Sequence, residues 1–359
     1  MKILHVVTSL FTGGAEKLMV DLLPRLRDKG HEVDLCVFDG SRTPFYNQLE
    51  CAGIRIIPFS VKGSVYNPLH IYRLWRLMRT YDIVHTHNTS PQMFAAIASV
   101  ACPTALVTTE HNTSNRRRRW KWYACVDKWM YSRYQNVICI SNQAEANLRK
   151  YINSTHERIC TIYNGVDVKY FMEASPCESL AVEYKGKILV AMVAGFRREK
   201  DQDTLIKAFE YLPENYHLLL VGDGVRRPEC EALADQISIA DRVHFLGLRT
   251  DVHNILKTVD VVVMSSHFEG LSLSNVEGMC SGHPFVASDV DGLREVTKDY
   301  GLLFPHEDSK ALAEIIQKLC TDREYANEVA ANCRERAKQY DIQIMVDEYE
   351  KIYNRLLNK

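Results

Sequence analysis

The chain has 359 residues, 46% of them hydrophobic and 25% charged, which is the profile of a folded globular protein large enough for two domains. Its net charge of −1 conceals an asymmetry: residues 1–165 carry 21 Lys and Arg against 12 Asp and Glu, residues 166–359 carry 23 against 33, so the two halves are expected to face different partners. No run approaches the ~18 uninterrupted apolar residues of a membrane span, and eleven cysteines without a CxxC pair read as free thiols in a reducing cytoplasm.

The first apolar run, KILHVV, is too short for a signal peptide and is interrupted by His5; it reads as a strand entering the turn TGG. AEKLMVDLLPRLRDKG follows, with Leu18, Leu22, Leu23 and Leu26 at helical spacing and Gly30 closing the helix. HEVDLCVF is the second strand, and RIIPF, YDIVHTH, ALVTTEH, NVICIS and RICTIY continue the series. Strands this apolar, alternating with helices, predict a parallel sheet covered on both faces. From Asn164 the stretch NGVDVKYFMEASPCESLAVEYKG loses its period, at the place where the charge changes sign. A second series then begins: KILVAMVAGF, a helix at DQDTLIKAFEYL, then LLLVGDG, RVHFLG, DVVVMSS, a helix around SNVEGMCSG, and PFVASDV. Residues 340–357 are helical in period, with Ile344, Tyr349 and Ile352 as apolar anchors. The expected organisation is two doubly wound α/β domains, 1–165 and 166–339, with a helix at 340–359 packing back on the first.

Ligands of doubly wound folds sit at the C-terminal ends of the strands, so the residues following each strand matter most. Gly13 and Gly14 follow the first strand at a helix start, where backbone can approach a phosphate. They do not form the G-x-G-x-x-G of a dinucleotide fold. Arg197, Arg198 and Lys200 in GFRREKDQD suit a diphosphate, and Gly222 and Gly224 form a tight turn in VGDG. HFEGLSLSNVEGMCSG then places Glu269 and Glu277 eight residues apart, with the helix capped by Ser274 or Asn275 and ending near Gly282. Gly270 to Ser274 would aim amides and the positive helix end at an anion. An acid beside a phosphate needs another task, and Glu277 is suited to accept hydrogen bonds from two ribose hydroxyls. Glu269 would face the sugar side. Each pattern taken alone also fits a plain solvated loop.

Taken in order, FTGGAEK, HTHNT, TTEHNT, IYNGVD, GFRREKD, LLLVGDG, VHFLG and FEGLSLSNVEG, with its E-x7-E, resemble a retaining glycosyltransferase of family 4 over nearly the whole length. The resemblance implies a GT-B fold, two facing Rossmann-like domains with a cleft between them. It implies transfer of a hexose or N-acetylhexosamine from a nucleotide diphosphate sugar, UDP favoured, to a glycan or lipid-linked acceptor in surface polysaccharide or glycoconjugate biosynthesis. No cofactor or metal ion is expected, the sugar nucleotide being a substrate. By position, Gly14 approaches the donor phosphate and Lys200 pairs with the diphosphate. Gly270, Leu271 and Ser272 meet sugar and phosphate through their backbone, Leu273 and Ser274 lie by phosphate and ribose, and Glu277 holds the ribose. Leu248 and Arg249 fall where main chain holds the base, and His111, with His87 as a second candidate, reaches the transferred sugar. His111, Lys200 and Glu269 are the expected catalytic residues. The family commonly has an arginine where this chain has Gly195, and Arg197 is the expected replacement. A GT-B sugar-nucleotide epimerase or hydrolase, or a non-catalytic sugar-nucleotide-binding module, would carry many of the same residues.

The stretch SNRRRRWKWY sets Arg116, Arg117, Arg118, Arg119, Trp120, Lys121 and Trp122 together. Cations beside indoles suit an anionic membrane surface or the diphosphate of a polyprenyl-linked acceptor, better than nucleic acid in this context. The expected location is cytoplasmic, peripheral at the inner face of the membrane.

Overall fold

The computed structural model describes residues 1–11, 13–111 and 123–358. The chain divides into two compact units, Met1–Gly165 together with Ile342–Lys359, and Val166–Asp341.

Unit 1 alternates β1 (Lys2–Val7), α1 (Gly14–Asp28), β2 (Glu32–Asp39), α2 (Pro44–Cys51), β3 (Arg55–Ser60), α3 (Leu69–Met78), β4 (Ile83–His87), α4 (Thr89–Ala98), β5 (Ala105–Glu110), α5 (Tyr123–Ser132), β6 (Asn136–Cys139), α6 (Asn142–Ile152) and β7 (Ile159–Thr161). Unit 2 runs α7 (Val168–Met172), α8 (Glu178–Glu183), β8 (Ile188–Val193), α9 (Gln202–Ala208), β9 (Tyr216–Val221), α10 (Arg227–Gln236), β10 (Val243–Gly247), α11 (Val252–Leu256), β11 (Val261–Met264), α12 (Leu273–Cys280), β12 (Phe285–Ser288), α13 (Leu293–Thr297), β13 (Leu302–Phe304), α14 (Ser309–Thr321) and α15 (Arg323–Lys338). Helix α16 (Ile342–Leu357) belongs to unit 1.

The sheet orders are β3-β2-β1-β4-β5-β6-β7 and β10-β9-β8-β11-β12-β13, and the paired strands run parallel. Their order reverses between β1 and β4 and again between β8 and β11, which makes the loops after those strands the places to look for ligands. Central strands such as β4, β9 and β11 are buried along their full length, which is why they read as continuous apolar runs rather than alternating ones.

Two apolar cores flank the unit 1 sheet. One joins Leu18, Leu22, Leu23 and Leu26 of α1 to Ile342, Met345, Val346, Tyr349, Ile352 and Tyr353 of α16. The other gathers residues of α3 to α6, including Leu74, Ala95, Met130 and Leu148. The buried face of α16 thus steps by three and four residues, as one stripe of a helix must. Ile344 corrects the anchor expectation: it lies two positions past Ile342, on the outer face, and is 48% exposed. Lys29 ties this helix to α1 through Asp347 and Glu350, at 2.8 and 2.6 Å. All eleven cysteines are free, and none of the described helices is long and apolar enough to cross a membrane.

Candidate active site

The strand-end loops of unit 2 are held against one another by missing side chains. Gly222 and Gly224 after β9 have φ of +136° and +159°; a Cβ on them would lie 2.2 Å from the carbonyl oxygen of Ala194 and 2.5 Å from that of Phe196. Only glycine allows this approach and this backbone. Against this support the loop after β8 turns sharply, and the backbone N–H of Arg197 donates to the carbonyl of Gly195 at 2.9 Å. At Gly195 itself a Cβ would meet only the Asp223 carbonyl oxygen at 3.6 Å and Arg197 Nε at 3.9 Å. The exposed Arg197 side chain therefore passes beside the position where the family arginine would begin.

Lys200 ends the same loop. Its Nζ is ion-paired with the Glu269 carboxylate, and the Ser266 hydroxyl donates to Glu269 Oε1 at 2.8 Å. The side chains are 20% and 11% exposed, so the pair is largely withdrawn from water but reachable. Asp201, next in sequence, takes a left-handed conformation (φ +48°) and caps α9 through Thr204, while its own carbonyl accepts from Ser265 Oγ at 2.7 Å. This anchors the lysine loop to the end of β11.

The Glu269–Gly270 turn rests on Gly292 (φ +83°), where a Cβ would come within 2.4 and 2.3 Å of the two carbonyl oxygens. Replacing Gly292 by alanine is expected to destabilise the protein by more than about 1 kcal/mol, since it adds both a left-handed penalty and a clash with backbone. It should also weaken donor binding by displacing this turn. An unchanged melting temperature and donor affinity in Gly292→Ala would contradict the packing described.

Helix α12 follows. Ser272 is at its N-cap in extended backbone and makes no side-chain cap. This corrects the expectation of a cap at Ser274 or Asn275: Ser274 lies inside the first turn, and Asn275 is fully buried with Nδ2 donating to Thr297 Oγ1 at 3.3 Å. Asn275 N–H donates to the Ser272 carbonyl at 3.1 Å, and with no side-chain cap from Ser272 the Leu273 and Ser274 amides at the helix start suit an anion. A Cβ on Gly278 would lie 2.7 Å from the Phe285 ring, so its absence lets the helix sit directly on the sheet. Leu271 and Ser272 are buried, Leu273 and Ser274 are half-buried, and Glu277 is half-buried one turn further on. At the end of β10, Gly247 turns the chain at φ +66°, Leu248 is 64% exposed, and Arg249 clamps Asp251 with two hydrogen bonds of 2.7 and 2.6 Å. That pairing holds the Asp251 carboxyl below its ordinary range.

Unit 1 contributes two separate features. Gly14 opens α1, and a Cβ there would meet nothing within 4 Å, whereas one on Gly13 would lie 2.3 Å from the Glu16 carboxylate in the first turn. The second feature is a histidine cluster where β1, β4 and β5 lie side by side in the middle of the sheet. His5 Nδ1 lies 3.0 Å from His87 Nε2, and His87 Nδ1 lies 2.9 Å from His111 Nε2. Burial lowers His5 to about 3 and His111 to about 4, and pushes His85 and His87 well below the ordinary histidine value, so all four are neutral near pH 7.

Among the described residues two clusters could offer metal ligands: His5, His85 and His87, and Asp201, His267 and His306. In the first, both nitrogens of His85 are taken by Tyr353 and Thr109, at 2.6 and 2.8 Å, and both of His87 by its histidine neighbours. In the second, His267 Nδ1 is 2.8 Å from His306 Nε2 and 3.6 Å from Asp201 Oδ2. Arg116 to Arg119, Trp120, Lys121 and Trp122 lie outside the described residues.

Residues 12–170 match the Glycosyltransferase Family 4 family, and residues 181–340 match Glycosyl transferases group 1. The chain belongs to the family 4, group 1 glycosyltransferases. It is 24% identical to the UDP-Gal:alpha-D-GlcNAc-diphosphoundecaprenol alpha-1,3-galactosyltransferase of Escherichia coli, covering 100% of this chain and 98% of the other. It is 26% identical to N-acetyl-alpha-D-glucosaminyl L-malate synthase of Bacillus anthracis, over 96% and 94% of the two chains. Its fold resembles that of Anabaena HepE, crystallised with UDP and glucose, at a TM-score of 0.88 and 24% identity over 99% and 100% of the chains. The transferase thus has the GT-B fold.

Within this glycosyltransferase, the expected site residues of unit 2 do gather: Lys200 meets Glu269, and Gly270 to Ser274 lead into α12. Sequence reasoning passed over Ser266, Asp201 and Gly292, which hold Glu269, the lysine loop and the Glu269–Gly270 turn in place. The dipeptide Asp291–Gly292 was the available signal for the last of them.

Proposed function

We propose that this glycosyltransferase moves a hexose or N-acetylhexosamine from a UDP-sugar to a lipid-linked glycan, with retention at the anomeric carbon. The observation that carries the reading is the Lys200–Glu269 pair beside the uncapped start of α12. A cation and a set of free amides at adjoining strand ends suit a diphosphate, and an acid at the same point suits the attached sugar. The named activity of the Escherichia coli relative, which takes UDP-Gal to a diphosphoundecaprenol acceptor, supports both donor and acceptor class.

In this reading the anomeric carbon–oxygen bond to the diphosphate breaks while the acceptor hydroxyl oxygen bonds to the same face. The hydroxyl proton passes to the departing phosphate oxygen. Lys200, Arg197 and the α12 amides stabilise the charge that develops on the diphosphate. Glu277 holds the ribose, the main chain at Leu248 and Arg249 holds the base, and Gly14 and His111 contact the donor. E-x7-E does not work as a glycosidase dyad, because no water has to be activated. The basic stretch 116–122 would bring the enzyme to anionic membrane where its acceptor resides.

The test offers UDP-sugars with a polyprenyl-diphosphate-linked sugar, a soluble sugar or no acceptor, and measures UDP release and the anomeric configuration of the product. Release that needs the lipid-linked acceptor, with the configuration kept, is expected. Equal release without acceptor would replace transfer by hydrolysis, and an inverted product would remove the front-face mechanism. Vesicles of graded anionic content should retain wild type but not a variant with Arg116 to Arg119 changed to serine. Equal retention of both would end the membrane role.

A further inference from the structure

The three hydrogen-bonded histidines form a directional chain, and its buried end decides the direction. His5 Nδ1, His87 Nε2, His87 Nδ1 and His111 Nε2 lie in sequence at 3.0 and 2.9 Å. A neutral imidazole carries one N–H and one bare nitrogen, so each ring must donate on one side and accept on the other. Two arrangements are therefore open. If protons point from His111 toward His5, the last N–H falls on His5 Nε2, which is fully buried and has no partner among the described residues. An N–H in that position loses its hydrogen bond to water and gains nothing in return. If protons point the other way, His5 Nδ1–H donates to His87, His87 Nδ1–H donates to His111, and the atom stranded at His5 Nε2 is a bare lone pair. Orphaned buried N–H groups are rarer in folded proteins than under-satisfied acceptors, which favours the second arrangement.

The neighbours reinforce the geometry. His5 and His85 are register partners on adjoining strands, and His87 stacks on both, with ring centroids 5.3 Å from His5 and 4.4 Å from His85. His85 cannot relieve His5, because Tyr353 and Thr109 occupy its two nitrogens, and Thr109 is itself bonded to Tyr349 at 3.1 Å. Both tyrosines come from α16.

We infer that His5 and His87 are positioning residues that lock His111 as the neutral tautomer with its proton on Nδ1. Its Nε2 is then spent on His87, and its remaining nitrogen is a hydrogen-bond donor. His111 serves as a fixed N–H donor toward an oxygen of the transferred sugar and cannot take the acceptor's proton. This rests on the reading that His111 meets the sugar, and it explains why that proton must leave on the diphosphate.

The tautomer is read directly from long-range ¹H–¹⁵N spectra of histidine-labelled protein without substrate. Nδ1–H at His111 in the wild type is expected; Nε2–H there overturns the proposal. His5→Phe removes the donor that orients His87, so His111 should lose its single tautomer and kcat should fall about tenfold, the worth of one hydrogen bond, with acceptor KM unchanged. His5→Gln keeps an N–H in place and should restore both. If His5→Phe preserves tautomer and rate, or if His5, His85 and His87 carry a stoichiometric metal ion in the purified enzyme, the relay is wrong. Full activity of His111→Ala would instead discard the sugar contact and leave the tautomer result standing.

Discussion

Replacing Lys200 by alanine is expected to lower kcat by roughly 10²–10³ at saturating donor, the usual effect of removing one strong electrostatic donor from a developing oxyanion. The lysine stands on a loop held by Ser265 and Asp201 and is paired with Glu269 in a site largely withdrawn from water. Its charge is therefore less screened than that of a surface lysine, and a departing diphosphate gains more from it. The substitution also strands Glu269, which among the described residues keeps only the Ser266 hydroxyl, so some loss of stability should accompany the loss of rate. Lys200→Ala combined with Glu269→Gln should recover the stability and not the rate. Initial rates and melting curves of the three variants separate the two effects. Full turnover by Lys200→Ala would transfer the diphosphate role to Arg197.

Removing Glu277 should act on binding. If its carboxylate accepts from both ribose hydroxyls, Glu277→Ala forfeits two charge-assisted hydrogen bonds of about 1.5–3 kcal/mol each. The dissociation constant for UDP would rise by roughly 10²–10⁴. Titration calorimetry with UDP measures this directly. A mutant that binds UDP as tightly as wild type but melts at a lower temperature would make Glu277 a support of α12 and nothing more.

Much of the fold was legible because the sheets are parallel and buried on both faces. Strands such as DVVVMSS and LLLVGDG then stand out as apolar runs, and every βα repeat announces itself by a turn. The errors fall where a local pattern has several equivalent solutions. LSLSNVEG holds three polar residues able to cap a helix, and local preference does not single out Ser272, which takes the N-cap without a side-chain bond. In QIMVDEYEKIY the apolar residues cover more than one face, so the seam could not be phased without its partner, and Ile344 was assigned to the wrong side. Other features depend on contacts between distant residues. Gly292 supports Glu269–Gly270 from a loop on another strand, Lys200 meets an acid 69 positions away, and the histidine chain exists only because β1, β4 and β5 lie side by side.

The membership of α16 in unit 1 bears on the order in which the protein acquires structure as it is made. Domains ordinarily fold from the N-terminus as the ribosome delivers them. Here residues 1–165 emerge with the α1 side of their sheet only partly covered, and the helix that completes that core arrives after the whole of unit 2. At ~5–20 residues per second the interval is on the order of ten seconds or more. Throughout it, His85 and Thr109 lack the hydroxyls of Tyr353 and Tyr349. Unit 2, continuous in sequence, can close first. The nascent chain would therefore hold a finished acidic half beside an unfinished basic one, and that interval is when a chaperone has most to bind.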